Sequence, residues 1–99
     1  MTTIQPEELE EVIRKEKELQ IIDLRPVASY EKSHIKGAIS IPRDLLLMNM
    51  KKLATSGTIL FYCMEGHKSD EVALYIEKKK KRCKILSLNG GYNSYNDSL

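Results

Sequence analysis

Thr58-Ile59-Leu60-Phe61-Tyr62 is a short apolar run rich in β-branched and aromatic residues, preceded by Ser56-Gly57 and followed at once by Cys63. A run of this length and composition reads as a buried strand. From Asp70 to Lys81 there is neither proline nor glycine, and the segment ends in lysines, so a helix is expected over 70–81. A buried strand feeding a helix is half of a crossover, and crossovers make parallel sheets. The rest of the chain repeats the alternation.

Gln5-Pro6-Glu7-Glu8 is a helix start, with proline at the first helical position and acids suited to the dipole. Leu9, Val12 and Ile13 follow as an apolar stripe at helical spacing. A strand over 19–24 ends near Asp23, a short helix covers 26–32, and Lys36-Gly37 is a turn. A second short strand over 38–41 is closed by Pro42. Residues 43–54 are expected as a helix with Leu46, Met50 and Leu53 on one face, ended by Ser56-Gly57. A strand over 84–88 and a sharp turn at Asn89-Gly90-Gly91 lead into a short tail. The expected fold class is α/β, with a central parallel sheet and helices on both faces.

The chain of 99 residues is expected to form one domain over 1–99, burying about 60 to 70% of its unfolded surface. With 41% hydrophobic and 30% charged residues it is globular in composition. A formal charge of +2 is too small to demand nucleic acid as a partner. No apolar run approaches the roughly 18 residues of a membrane span, and the N-terminus lacks the basic and apolar pattern of a secretory leader. Two cysteines 20 positions apart match neither a disulfide framework nor a zinc spacing, so no metal is expected and a reducing, cytoplasmic setting is.

In a parallel sheet, ligands bind at the C-terminal strand edge. Asp23, Cys63 and the Gly90-Gly91 turn all fall there, whereas Cys83 precedes its strand and belongs at the opposite edge. The sulfur of Cys63 is expected among loop N–H groups and the positive end of a helix dipole, an arrangement that stabilises a thiolate. A lone cysteine after a strand is more often core, but the loop and helix that follow favour chemistry here. His67 can be read as a base for that thiol. A loop that turns its backbone inward sends its side chains outward, which favours a solvent-facing imidazole instead. His34 reads as a hydrogen-bonded structural histidine, and Asp23 with Arg25 as an ion pair bracing loops near the site. Six of the 16 basic residues fall within Lys78 to Lys84. The run Lys78 to Arg82 is a solvated helix end or a dock for an acidic partner protein.

Ile22-Asp23-Leu24-Arg25, Tyr30, His34-Ile35-Lys36-Gly37-Ala38, Ile41-Pro42, Cys63-x-x-Gly66-x-Lys68-Ser69 and Leu88-Asn89-Gly90-Gly91 stand in one order along the chain. Together they resemble a single-domain rhodanese, a sulfurtransferase that carries sulfur as a cysteine persulfide. The resemblance spans about 4–95. It implies that Cys63 is the nucleophile, that Met64, Glu65, Gly66, His67, Lys68 and Ser69 form the loop around its sulfur, and that no cofactor is needed. It also implies a small donor such as thiosulfate and a thiol or cyanide acceptor. Lys68 stands where many members have arginine, Ser29 and Ser33 replace a usual acid and a usual glycine, and Tyr95 occupies the place of a frequent tryptophan. Two other readings stay open. One is a catalytically idle module that binds a partner through its basic patch. The other, more distant, is a cysteine phosphatase or arsenate reductase. Those chemistries use a Cys-x5-Arg loop, and here the sixth residue after Cys63 is Ser69.

Overall fold

The computed structural model describes residues 1–97 and 99. Five strands form one parallel sheet: β1 (Thr2–Ile4), β2 (Leu19–Asp23), β3 (Ile39–Ser40), β4 (Gly57–Tyr62) and β5 (Cys83–Leu88). Their spatial order is β1-β5-β4-β2-β3. Among the described residues, four α-helices accompany them: α1 (Leu9–Lys15), α2 (Val27–Lys32), α3 (His67–Lys79) and α4 (Gly91–Asp97). The first is entered through a 3-10 turn over Pro6–Glu8, in which the Gln5 N–H donates to Glu8 Oε1 at 2.8 Å.

The sheet is covered on both sides, because alternate residues of each strand point to opposite faces. On one face Ile22, Ile59, Phe61 and Ile85 pack with Val72, Ala73 and Ile76 of α3 and with Leu46 and Leu53. On the other, Ile21, Leu60, Tyr62, Leu86 and Leu88 pack with Leu9 of α1, Tyr30 of α2, and Tyr92 and Tyr95 of α4. The central strand β4 is buried from Thr58 to Tyr62. That accounts for its unbroken apolar sequence where a half-exposed strand would alternate.

Four segments depart from the sequence reading. Residues 43–54 do not form one α-helix but two 3-10 segments, Arg43–Leu45 and Leu47–Lys52. Asn49 interrupts the second of them with φ −122° and ψ 22°, and its side chain donates to Leu45 O at 2.7 Å. A side-chain amide that bonds a nearby carbonyl competes with helical pairing, and the apolar spacing of Leu46 and Leu53 survives because both anchor in the core. Helix α3 begins at His67 and ends at Lys79, so three of the six expected loop residues form its first turn. The short tail contains α4, and Thr2–Ile4 adds an edge strand paired with β5. Neither short segment carries a strong periodic pattern of its own.

Candidate active site

The topology opens a crevice at one point. From β2 the chain moves outward to β3, while from β4 it moves the other way to β5. The segments after β2 and β4 therefore diverge to opposite faces, and a crevice forms between them at the C-terminal edge. Cys63 stands there, immediately after β4 and buried.

The backbone turns around its sulfur. Gly66 N–H donates to Cys63 Sγ at 3.1 Å and Ser69 N–H at 3.3 Å. Ser69 is the third residue of α3, so its N–H is one of the donors that a helix start leaves unpaired. Gly66, the residue before the helix, has φ +98°, which favours glycine. The same turn is held from outside by α4. Tyr92 N–H donates to Cys63 O at 2.7 Å and Asn93 N–H to Met64 O at 3.0 Å. With its carbonyls drawn toward α4, the turn is free to point N–H groups inward. Gly91, at φ +61°, permits the approach, since a Cβ there would lie 2.4 Å from Cys63 O. The Ser69 hydroxyl is 2.9 Å from that of Ser87, which donates to Asp70 Oδ1 at 2.6 Å. These bonds tie the first turn of α3 to β5.

Asp23 and Arg25 form the expected ion pair, fully buried and beside the crevice. Asp23 Oδ2 accepts from Arg25 Nη2 at 2.7 Å and from the Tyr62 hydroxyl at 2.6 Å. Asp23 Oδ1 accepts from the Arg25 N–H at 2.9 Å, and Arg25 Nη2 also reaches Ser33 O at 2.7 Å. Asp23 and Tyr62 are register partners in β2 and β4, which is why their side chains meet. The Arg25 guanidinium lies 4.0 Å from the centre of the Tyr92 ring. Burial works against its charge, but the bonds to Asp23 outweigh that and raise its pKa above the ordinary value. Burial and then the bond to Asp23 push the Tyr62 phenol well above its usual range, so it stays a donor.

A cavity of about 560 Å³ lies in front of Cys63. Its lining includes Leu24, Pro26, Pro42, Leu45 and Met64, together with Arg25, Arg43, Asp44, Glu65, His67 and Lys68. Met64, Glu65, His67 and Lys68 are exposed, as a loop with an inward-facing backbone requires. Among the described residues, neither Glu65 nor Lys68 has an ion-pair partner. His67 is thus solvent-facing. His34 stacks on Tyr30 at 3.8 Å and bonds Tyr30 O at 2.8 Å, remote from the sulfur. Cys83 begins β5 at the opposite edge and its thiol donates to Ala54 O at 3.5 Å. The exposed Lys78 and Lys79 close the last turn of α3 and the exposed Lys81 and Arg82 follow it, also away from the crevice. Sequence reasoning did not single out Arg43, Tyr62, Tyr92 or Ser87. Arg43 was within reach, because Pro42 follows β3 at the same sheet edge as Cys63.

A parallel sheet with a buried cysteine at its C-terminal edge, ringed by main-chain donors, defines a cysteine-loop α/β domain. The model of the Rhodanese-like domain matches residues 5–98, and the chain belongs to that family. It is similar to a probable adenylyltransferase/sulfurtransferase, MoeZ, of Mycobacterium tuberculosis, with 34% identity over 91% of this chain. The match spans only 23% of that much longer relative. It is similar to the thiosulfate sulfurtransferase GlpE of Coxiella burnetii at 28% identity, covering 82% of this chain and 75% of the relative. The crystal structure of SSP1007 from Staphylococcus saprophyticus superposes with a TM-score of 0.85 at 26% identity, covering 98% of this chain and 95% of that one. The names of the MoeZ and GlpE relatives both include sulfur transfer.

Proposed function

We propose that the chain transfers sulfane sulfur through a persulfide on Cys63, the 99 residues acting as one domain. The observation that carries this reading is the pair of N–H groups from Gly66 and Ser69 on Cys63 Sγ. Donors aimed at one sulfur favour its thiolate, which is the attacking species. The thiolate attacks the outer sulfur of thiosulfate, the S–S bond of the donor breaks, and sulfite leaves with the electron pair. The new outer sulfur carries negative charge beside the same main-chain donors, which are fixed before the reaction and need no reorganisation. An acceptor thiolate or cyanide then takes the outer sulfur, and the electron pair of the broken bond returns to Cys63. Met64, Glu65, His67 and Lys68 surround the entrance, with Lys68 as the cation for an anionic donor. Asp23 and Arg25 act indirectly, by holding the segment after β2 in place. No step needs a cofactor or a metal.

The names of the relatives support a place in a sulfur relay, with the basic run at 78–82 as a dock for an acidic protein in it. Persulfide chemistry requires Cys63 to stay reduced, which argues for a cytoplasmic setting. Among the described residues, no helix is long and apolar enough to cross a membrane. Intact-mass spectrometry after incubation with thiosulfate tests the reading. One sulfur, about 32 Da, adds to the wild-type protein and leaves with cyanide, as a covalent half-reaction requires. Cys63→Ser abolishes the adduct and Cys83→Ser keeps it. An adduct that persists in Cys63→Ser overturns the assignment.

A further inference from the structure

The cavity holds one cation that the sulfur cradle does not explain. Arg43 follows Pro42 beyond the end of β3 and reaches across to α3, where its Nη2 lies 3.2 Å from Glu71 Oε2. Its Nη1 is 4.0 Å from Asp44 Oδ1. The Arg43 side chain is 42% exposed and that of Glu71 69%, so this pair sits in water. Exposed pairs of that kind are weak and exchange readily. A guanidinium is built to grip a carboxylate with two parallel bonds, and an incoming carboxylate can replace Glu71 without burying an unpaired charge. The cavity is far larger than a thiosulfate ion of a handful of atoms. At about 560 Å³ it falls in the range that takes whole organic ligands. Apolar walls from Leu24, Pro26, Pro42 and Leu45 suit a carbon skeleton between a sulfur at Cys63 and a charge at Arg43.

We infer that Arg43 is a distal anion contact of this cavity, selecting low-molecular-weight thiols that carry a carboxylate as sulfur acceptors, and that Glu71 tunes it by competing for the guanidinium. The inference rests on the sulfur-transfer reading. The step it governs is balanced: the acceptor thiolate attacks the outer sulfur of the Cys63 persulfide and a new S–S bond forms. The old Sγ–S bond breaks, and its electron pair remains on Cys63 as thiolate. The acceptor leaves as a persulfide with no outside oxidant or reductant.

The test compares N-acetylcysteine with its methyl ester, which keeps the thiol and loses the carboxylate. The rate of discharge of preformed Cys63 persulfide is followed by intact mass in wild type, Arg43→Ala and Glu71→Gln. Arg43→Ala is expected to lower the preference for the acid over the ester about threefold to fivefold, the scale of one exposed charge pair. Glu71→Gln is expected to raise that preference, and added salt to shrink both effects. A preference unchanged in Arg43→Ala, or lowered in Glu71→Gln, overturns the inference. Titration of N-acetylcysteine into Cys63→Ser and Cys63→Ser/Arg43→Ala proteins by NMR reads the same contact without any sulfur transfer. Weaker binding in the double variant supports the contact, and equal binding refutes it. Absence of any Cys63 persulfide in wild type would instead refute the sulfur-transfer reading, leaving the titration to decide Arg43.

Discussion

Replacing Gly91 with alanine separates the cost of a left-handed backbone from the cost of crowding the cysteine turn. Gly91 has φ +61°, and an added Cβ would lie 2.4 Å from Cys63 O and 2.7 Å from both Met64 C and Met64 O. Ordinary contact begins at 3.4 Å, so the turn must retreat by about 1 Å. Every atom met is backbone, and no side chain can swing aside. The strain of a left-handed alanine is about 1–2 kcal/mol, and overpacking of this kind adds about 1–3 kcal/mol. Gly37 supplies the control: its φ is +88°, yet a Cβ there meets nothing within 4 Å. Gly37→Ala should therefore lose only the strain, and Gly91→Ala about 1–3 kcal/mol more. For a domain of this size that excess lowers the melting temperature by about 4–8 °C per kcal/mol. The cradle should suffer as well, because a displacement of about 1 Å at a reacting centre can cost about a hundredfold in rate. Urea denaturation of both variants, with persulfide formation timed by intact mass, measures both effects. Equal losses of stability in the two variants would refute the tight seating of α4 on the cysteine turn. A destabilised Gly91→Ala protein that forms persulfide at the wild-type rate would refute the link between that seating and the cradle.

Two further outcomes follow from the polar network and from the sheet rim. Tyr62→Phe leaves the Ile35 N–H, 3.2 Å from the lost hydroxyl, without a partner and removes a donor from Asp23, so it should cost about 1–3 kcal/mol in urea denaturation. A loss below about 0.5 kcal/mol would show that the hydroxyl does not hold β2, β4 and the 33–35 segment together. At the opposite rim, the bond from Lys84 at 2.9 Å and then that from Thr58 at 3.1 Å lower the Glu16 pKa beneath its ordinary 4.5. A carboxylate with a lowered folded value stabilises the fold above its unfolded value, and that contribution disappears as pH falls through the folded one. Glu16→Gln should accordingly be less stable than wild type at neutral pH, with the difference closing in acid below about 4.5. A difference that stays constant across that window in urea midpoints would assign the effect to packing.

The layered sheet and the position of Cys63 were legible because both are written in local sequence. Thr58 to Tyr62 is apolar enough to be a central strand, and a cysteine directly after it can only stand at the strand's C-terminal end. The inward turn was legible through Gly66, and the Asp23–Arg25 pair through its place at the C-terminal end of β2. Most of what escaped reading depends on partners far along the chain. The bond between Tyr62 and Asp23 follows from the parallel register of β2 and β4, and no local pattern carries that register. Residues 43–54 look helical by spacing, yet an Asn49 side chain that bonds Leu45 O and anchors at Leu46 and Leu53 produce two tighter turns. The seven residues of α4 are stabilised by docking on the cysteine turn more than by their own propensity, so their sequence resembles a tail.

The division between a main-chain cradle and a side-chain wall has a bearing on how such a domain can change. The groups that touch the sulfur are the N–H groups of Gly66 and Ser69, which any residue tolerating the local backbone would supply. The exposed side chains that line the cavity in front of Cys63 include Arg43, Met64, Glu65, His67 and Lys68. Substitutions along the wall can thus alter which molecule is admitted while the reactive centre keeps its shape. On the sulfur-transfer reading, the mutational freedom of the site is concentrated in the side chains that would meet a substrate, and the constraint falls on Gly66 and Gly91, two positions that contribute no side chain at all.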